Sequence, residues 1–355
     1  MITLVRDRFA TPDVLVNLAG IVDWPGTEDT REEGWDRVTN VNQKGTSPAR
    51  SWWSTAASPR TETAHLTHLT RSPRHCAARQ VPRTGACPHT HLSRDHTMTP
   101  ATASAEASES TEFAGKTALV TGAARGVGKE TVALLHARGA RVVAVDLRPD
   151  ITTLPDEFPG VLAVRGDITR EETAAHAVQS ALDAFGGLDI LVNNAGRTLN
   201  KPITETTAED WDAVMAVNAR GAFFCTREAF RAMKDRGGGA IVSTGSYAGT
   251  VALPEGVAYS ASKGALAQLT KVLAVEGGPL GIRANLVAAG VIETDFLDTI
   301  RPDSRSYLAS FAEAQPLGRV AQPEEIAEVL CFLASPRSSF ITGAVVAADG
   351  GFTAV

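Results

Sequence analysis

Tyr259-Ser260-Ala261-Ser262-Lys263 sets a phenol and an ammonium four residues apart, a spacing that puts both on one face of a helix. A free phenol loses its proton near pH 10, so it serves as an acid/base at neutral pH only if a neighbouring cation favours the phenolate. Lys263 is the candidate for that cation. Lowering the phenol by about three units requires roughly 4 kcal/mol of differential stabilisation, within reach of one ammonium in a partly dehydrated cleft. An exposed lysine on an ordinary amphipathic helix would carry the same spacing. What favours chemistry is the company: a glycine-rich turn upstream, and Ser246 thirteen residues before the tyrosine.

The glycine-rich turn is Thr121-Gly122-Ala123-Ala124-Arg125-Gly126-Val127-Gly128, a GxxxGxG run between an aliphatic strand and a helical pattern. Glycines there permit a tight turn and close approach of a pyrophosphate to a helix N-terminus. Asp146 ends the second expected strand, where a carboxylate accepts hydrogen bonds from the adenosine ribose hydroxyls and repels a 2'-phosphate. NAD is therefore favoured over NADP, with Arg125 and Arg148 close enough in sequence to soften that repulsion. Asp167 and Ile168, after the third strand, are placed to meet the adenine edge, although Asp167 could equally open the turn before Thr169.

The elements that position these residues alternate short aliphatic runs with longer amphipathic ones, the signature of a parallel sheet covered on both faces. Strands are expected at 117–120, 141–145, 161–164, 189–192, 240–243, 283–287 and 344–348. The intervening helices include one opened by a Thr169/Glu172 capping box and a long one opened by Thr206/Glu209. The segment 149–160 is too broken by proline for a full crossover helix. The expectation is a single doubly wound α/β domain with a seven-stranded parallel sheet of Rossmann type, its ligand beyond the carboxyl ends of the strands.

From Phe113 to Val355 the chain resembles the short-chain dehydrogenase/reductase family, in the oxoacyl reductase and sugar or steroid dehydrogenase branch. The motifs that carry the resemblance are TGAARGVG, Asn193-Asn194-Ala195-Gly196, Ser246 with YSASK, and Asp349-Gly350-Gly351, in family order. The resemblance implies a catalytic tetrad of Asn218, Ser246, Tyr259 and Lys263, with Asn218 holding a water that links Lys263 to solvent. It adds Asn194, Ala195, Gly196, Gly290, Ile292 and Thr294 to the cofactor contacts, gives Lys263 a bond to the nicotinamide ribose, and implies a homotetramer or homodimer. One position departs from the family: Ala289 stands where proline is usual, which frees the loop that follows.

The activity implied is NAD-dependent interconversion of a secondary alcohol and a ketone of small or medium size. The alternatives are an NADPH-dependent 3-oxoacyl-carrier reductase, opposed by Asp146, and a dinucleotide-binding sensor without turnover, opposed by the intact tetrad. Phe296, Leu297, Tyr307, Leu308 and Phe311 make the loop over the substrate apolar, which disfavours a highly charged ligand.

The remaining sequence narrows the class. The chain has 355 residues, a net charge of -6 and 43% hydrophobic residues, giving no reason to expect nucleic acid as partner. No run approaches the roughly eighteen apolar residues of a membrane span, and the first residues lack the apolar core of a secretion signal. Four cysteines without CxxC spacing point to a reducing compartment, the cytoplasm by default. Residues 13–20, DVLVNLAG, repeat 189–196, DILVNNAG, and the ungapped register carries Trp35-Asp36 onto Trp211-Asp212. Residues 1–47 thus read as a partial copy of one strand and helix, unable to bury its own apolar face. Residues 48–112 read as a disordered linker. Six of the eight histidines fall before residue 97 with Cys76 and Cys87, in no compact zinc spacing, so no metal is expected. Residues 1–97 have the character of a truncated relic preceding a natural start at Met98.

Overall fold

The computed structural model describes residues 111–298 and 303–354. The partial copy at 1–47 and nearly all of the linker expected at 48–112 lie outside the described residues.

Seven strands form one parallel sheet, in the order β3-β2-β1-β4-β5-β6-β7. They are β1 (Thr117–Thr121), β2 (Arg141–Asp146), β3 (Leu162–Arg165), β4 (Ile190–Asn193), β5 (Gly239–Thr244), β6 (Ile282–Ala289) and β7 (Val345–Ala348). The central strands are continuous apolar runs rather than alternating ones, because helices cover both faces; all five residues of β1 are buried. The order reverses between β1 and β4, the switch point at which the loops after these two strands part and leave a crevice.

The helices are α1 (Gly126–Ala137), α2 (Leu154–Glu157), α3 (Glu171–Phe185), α4 (Ala208–Met215), α5 (Ala222–Lys234), α6 (Val257–Gly277), α7 (Ser304–Ala309) and α8 (Pro323–Ala334). One core cluster joins α1 and α8 to one face of the sheet through residues such as Val132, Leu135, Leu330 and Val242. The other joins α3 and α5 to the opposite face through Leu119, Leu191, Phe224 and Ile241. Residues 149–157 make only a 3₁₀ turn and the four-residue α2, as the prolines require.

Two expected caps move. Helix α3 begins at Glu171 with Arg170 as N-cap and no side-chain capping bond, so the Thr169/Glu172 box does not form. Its place is taken by Asp167, whose Oδ1 accepts from the Thr169 amide at 2.9 Å. Helix α4 does have a capping box, one residue later than expected, between Thr207 and Asp210. Beyond it the helix does not run straight through: residues Ala216–Gly221 form a π-turn before α5. Among the described residues no helix is long and apolar enough to cross a membrane.

Candidate active site

The glycine loop joins β1 to α1. Gly122 takes φ +67, and a Cβ there would meet Ala195 Cα at 2.7 Å. A Cβ on Gly128 would come within 2.0 Å of the Gly122 carbonyl oxygen, so no side chain fits between the loop and the first turn of α1. That first turn carries no acidic residue, and Arg125 at the N-cap gives it no side-chain bond. Its backbone N–H groups therefore remain available to an anion. Val127 turns away from the loop into the core.

The loop is pinned from both sides. Asp146 accepts from the Ala124 amide at 3.0 Å through Oδ2 and from the Arg148 amide at 2.9 Å through Oδ1. Arg148 does not turn toward Asp146: its guanidinium pairs with Asp150 at 2.8 Å, and its pKa is raised chiefly by that hydrogen bond. Arg125 points the other way, 3.9 Å from Asp298. On the β4 side, Asn194 Nδ2 donates to the Gly122 carbonyl at 3.1 Å. Thr121 Oγ1 accepts from the Asn194 and Ala195 amides, each at 3.1 Å. Thr294 sits over the loop, its methyl 3.5 Å from where a Gly126 Cβ would lie.

Asp167 closes the turn before α3, the plainer of its two sequence readings. The Ile168 side chain is buried where a Cβ on Gly221 would touch it at 2.8 Å, so only its backbone faces the crevice side. Gly290, just past β6, lets the chain pass Asp349, whose Cα would lie 2.7 Å from a Cβ there. Ile292 bridges Ala321, and Ala289 ends β6 paired with Ala348 in the ladder, so the residue replacing proline is held by the sheet.

The four residues of the expected tetrad come together at the carboxyl ends of β4 and β5. Lys263 is 5% exposed, and its Nζ donates to the Thr244 carbonyl at 2.8 Å while lying 5.6 Å from the centroid of the Tyr259 ring. Burial lowers its pKa to about 8. Ser246 Oγ accepts from the Ala248 amide at 3.1 Å, which fixes the serine at the head of a 3₁₀ turn, Tyr247–Gly249. Asn218 is held inside the π-turn and is fully engaged through its amide nitrogen, donating to the Arg197 carbonyl at 2.8 Å and to Ser262 Oγ at 2.9 Å. Its Oδ1 accepts from the Arg197 amide at 2.8 Å and keeps one lone pair free. Ser262 passes the link on, donating to the Tyr259 carbonyl at 2.6 Å. A Cβ on Gly196 would lie 3.4 Å from Asn218 Oδ1 and 3.7 Å from Lys263 Nζ, which places both polar groups beside the same glycine.

One expectation is overturned. Tyr259 is not acidified by Lys263: burial pushes its phenol up to about 12, with a hydrogen bond to Ser246 working the other way. The ammonium lies 5.6 Å from the centroid of the ring, and its own charge is weakened by dehydration. Residues that the motif reading passed over also belong to the site: Thr121, Thr244, Arg197 and Ser262. Ser262 carried a signal, since it follows Tyr259 by three on the same helix; the others act through backbone atoms or tertiary placement.

A doubly wound sheet with a glycine-rich loop at its switch point is the architecture of dinucleotide-binding proteins. A family model described as enoyl-(acyl carrier protein) reductase matches residues 122–353. The cis-4-hydroxycyclohexanecarboxylate dehydrogenase of Sinomonas cyclohexanicum is 42% identical over 248 residues, covering 68% of this chain and 98% of that protein. The D-threitol dehydrogenase of Mycolicibacterium smegmatis is 39% identical, covering 67% of this chain and 93% of its own. Among solved structures, levodione reductase superposes with a TM-score of 0.65 at 30% identity, over 68% of this chain and 99% of that one. The chain belongs to the short-chain dehydrogenase/reductase family and is an oxidoreductase acting on CH–OH groups with a nicotinamide dinucleotide.

Proposed function

We propose that this protein is an NAD-dependent dehydrogenase that interconverts a secondary alcohol and its ketone, with Ser246, Tyr259, Lys263 and Asn218 as its working side chains. The observation that carries the reading is the position of Lys263 Nζ, with the Tyr259 ring 5.6 Å away and the Asn218 amide oxygen beside it at Gly196. The relatives named above act on a hydroxycyclohexanecarboxylate, on D-threitol and on levodione. We extend their common chemistry, oxidation or reduction at a carbon–oxygen bond, to this chain.

The dinucleotide fits the residues present. Gly122, Arg125, Gly126, Val127 and Gly128 offer the backbone of the loop to its pyrophosphate, and Asp146 offers a carboxylate to the adenosine ribose. Arg148, paired with Asp150, is not free to receive a 2'-phosphate, which supports NAD over NADP. Asp167 and Ile168 lie at the adenine end, and Asn194, Ala195, Gly196, Gly290, Ile292 and Thr294 lie along the crevice toward the reacting end. When bound, the oxidised nicotinamide accepts a hydride and brings a positive charge to the crevice.

Tyr259 takes the hydroxyl proton of the alcohol, and in the reverse direction gives it to the ketone oxygen. Because burial holds the phenol near 12, its proton is stable at neutral pH, and the resting protein favours the donor form. Oxidation needs the phenolate, so it gains from rising pH and from any positive charge that enters the crevice. Ser246 donates to the substrate oxygen and holds it beside the phenol. Lys263, near pH 8 at its own midpoint, is charged for most of the protein at pH 7 and supplies the cation on the ring side. Asn218, with one lone pair left on Oδ1, is placed to hold a proton-relaying water next to that ammonium.

The test is a purified sample mixed with NADH and a panel of ketones, following loss of the reduced cofactor, beside the same mixture made with Tyr259→Phe. Oxidation of NADH by the native chain and none by the variant supports the reading. Binding of NADH with no turnover of any ketone or alcohol points to a sensor instead.

A further inference from the structure

Tyr247 follows Ser246 directly, and nothing in the tetrad or the dinucleotide contacts uses it. It is 7% exposed. Its ring lies on Phe352, with centroids 4.6 Å apart and planes at 43°. Phe352 belongs to a short C-terminal turn that Asp349 holds in place, its Oδ1 accepting from the Gly351 amide at 3.0 Å and its Oδ2 from Thr353 Oγ1 at 2.6 Å. The wall therefore does not swing freely. The Tyr247 hydroxyl has no hydrogen-bond partner among the described residues, and it is not one of the polar atoms sealed inside the fold. A phenol whose ring is buried while its oxygen stays open and unpartnered presents that oxygen to a ligand.

The surroundings say which ligand. The 3₁₀ turn that Tyr247 opens packs on α6, the helix that carries Tyr259, and directly follows Ser246, and charge on Tyr247 would raise Tyr259. On its other side Tyr247 feels Asp349 and Tyr307. Tyr307 comes from α7, in the loop after β6, and meets Phe311 edge to face at 5.1 Å. Tyr247 thus has α6 on one side and the rings of Phe352 and Tyr307 in its surroundings, with its hydroxyl uncommitted.

Building on the dehydrogenase reading above, we propose that Tyr247 selects the substrate: its ring packs against an alicyclic or branched aliphatic frame, and its hydroxyl donates to a second oxygen on that frame. The substrate class is a secondary alcohol bearing a further hydroxyl or carbonyl oxygen. The side chain touches substrate but takes no part in proton or hydride transfer.

The experiment compares kcat/KM for cyclohexanol and for 1,2-, 1,3- and 1,4-cyclohexanediol, with NAD, in the native protein, Tyr247→Phe and Phe352→Ala. The native protein is expected to prefer at least one diol to cyclohexanol by tenfold or more. Tyr247→Phe removes one oxygen and no ring, so it should erase that preference, mostly through KM, while cyclohexanol stays within about twofold and NADH binding is unchanged. Phe352→Ala, which loosens the wall and leaves the hydroxyl, should raise KM for all four alcohols several-fold. Diols no better than cyclohexanol, or a preference that survives Tyr247→Phe, overturns the inference. So does turnover of none of the four by a protein that oxidises other secondary alcohols. Turnover of no secondary alcohol at all overturns it together with the hydride-transfer reading on which it rests.

Discussion

Lys263 gives its hydrogen bond to the Thr244 carbonyl at 2.8 Å while its ammonium lies 5.6 Å from the centroid of the Tyr259 ring. Both groups are dehydrated. The lysine falls to about 8 and the tyrosine rises to about 12, so each is poised toward its neutral form.

This makes Lys263 a residue the fold holds at a cost. A lysine whose folded pKa lies below its unfolded value is penalised at every pH below the folded pKa, and the penalty is relieved as pH climbs toward the unfolded one. The drop from 10.5 to about 8 corresponds to about 3 kcal/mol, against about 1 kcal/mol for the bond to Thr244. Lys263→Met should therefore be inactive yet at least as stable as the native protein at pH 7. In thermal unfolding the native protein should gain on the variant between pH 8 and 10.5.

Glycines should differ in tolerance according to what a Cβ would meet, those packed inside the glycine loop tolerating none and Gly160, in the turn before β3, tolerating one. Gly128→Ala drives a Cβ to 2.0 Å from the Gly122 oxygen and should abolish NADH binding, read by fluorescence, with a stability loss of about 1–3 kcal/mol. Gly160→Ala meets nothing within 4 Å and carries only the strain of its φ of +91, so it should leave binding intact.

Cofactor choice turns on two carboxylates. On the proposed reading, in which Asp146 meets the adenosine ribose, native protein should bind NADH at least about tenfold tighter than NADPH. Asp146→Asn alone should weaken that preference. Adding Asp150→Asn releases the Arg148 guanidinium from its 2.8 Å partner and should tighten NADPH further. Dissociation constants for the two cofactors across the three proteins check this.

A chain begun at Met98 should bind NADH and unfold at the same temperature as the full chain, since every strand and helix among the described residues, and the candidate site, fall after residue 113. Loss of cofactor binding or of solubility would give the first 97 residues a role in the fold.

How far the sequence revealed the site depends on what kind of information each residue needs. Tyr259 and Lys263 were legible because helical geometry alone fixes residues four apart on one face, and α6 spans both. The glycine loop was legible because a Cβ has nowhere to go between strand and helix. Asn218 was visible only by resemblance, since its inward placement depends on a π-turn that no local pattern announces. The direction of the Tyr259 shift was misjudged because spacing shows which groups are near but not how much water they lose, and dehydration outweighs the neighbouring charge here. Tyr247 was passed over for a related reason: its partner Phe352 lies 105 residues away along the chain and meets it only after the last strand has paired.

The most direct test of the central claim is the turnover number of Tyr259→Phe on any alcohol the native protein oxidises, measured with NAD saturating. Removing one oxygen from a phenol that relays the substrate proton should lower kcat by about 10³-fold, with the NADH dissociation constant and melting temperature unchanged. A variant that retains a tenth or more of native turnover would contradict the account, because hydride transfer would then be proceeding without the group assigned to move the proton.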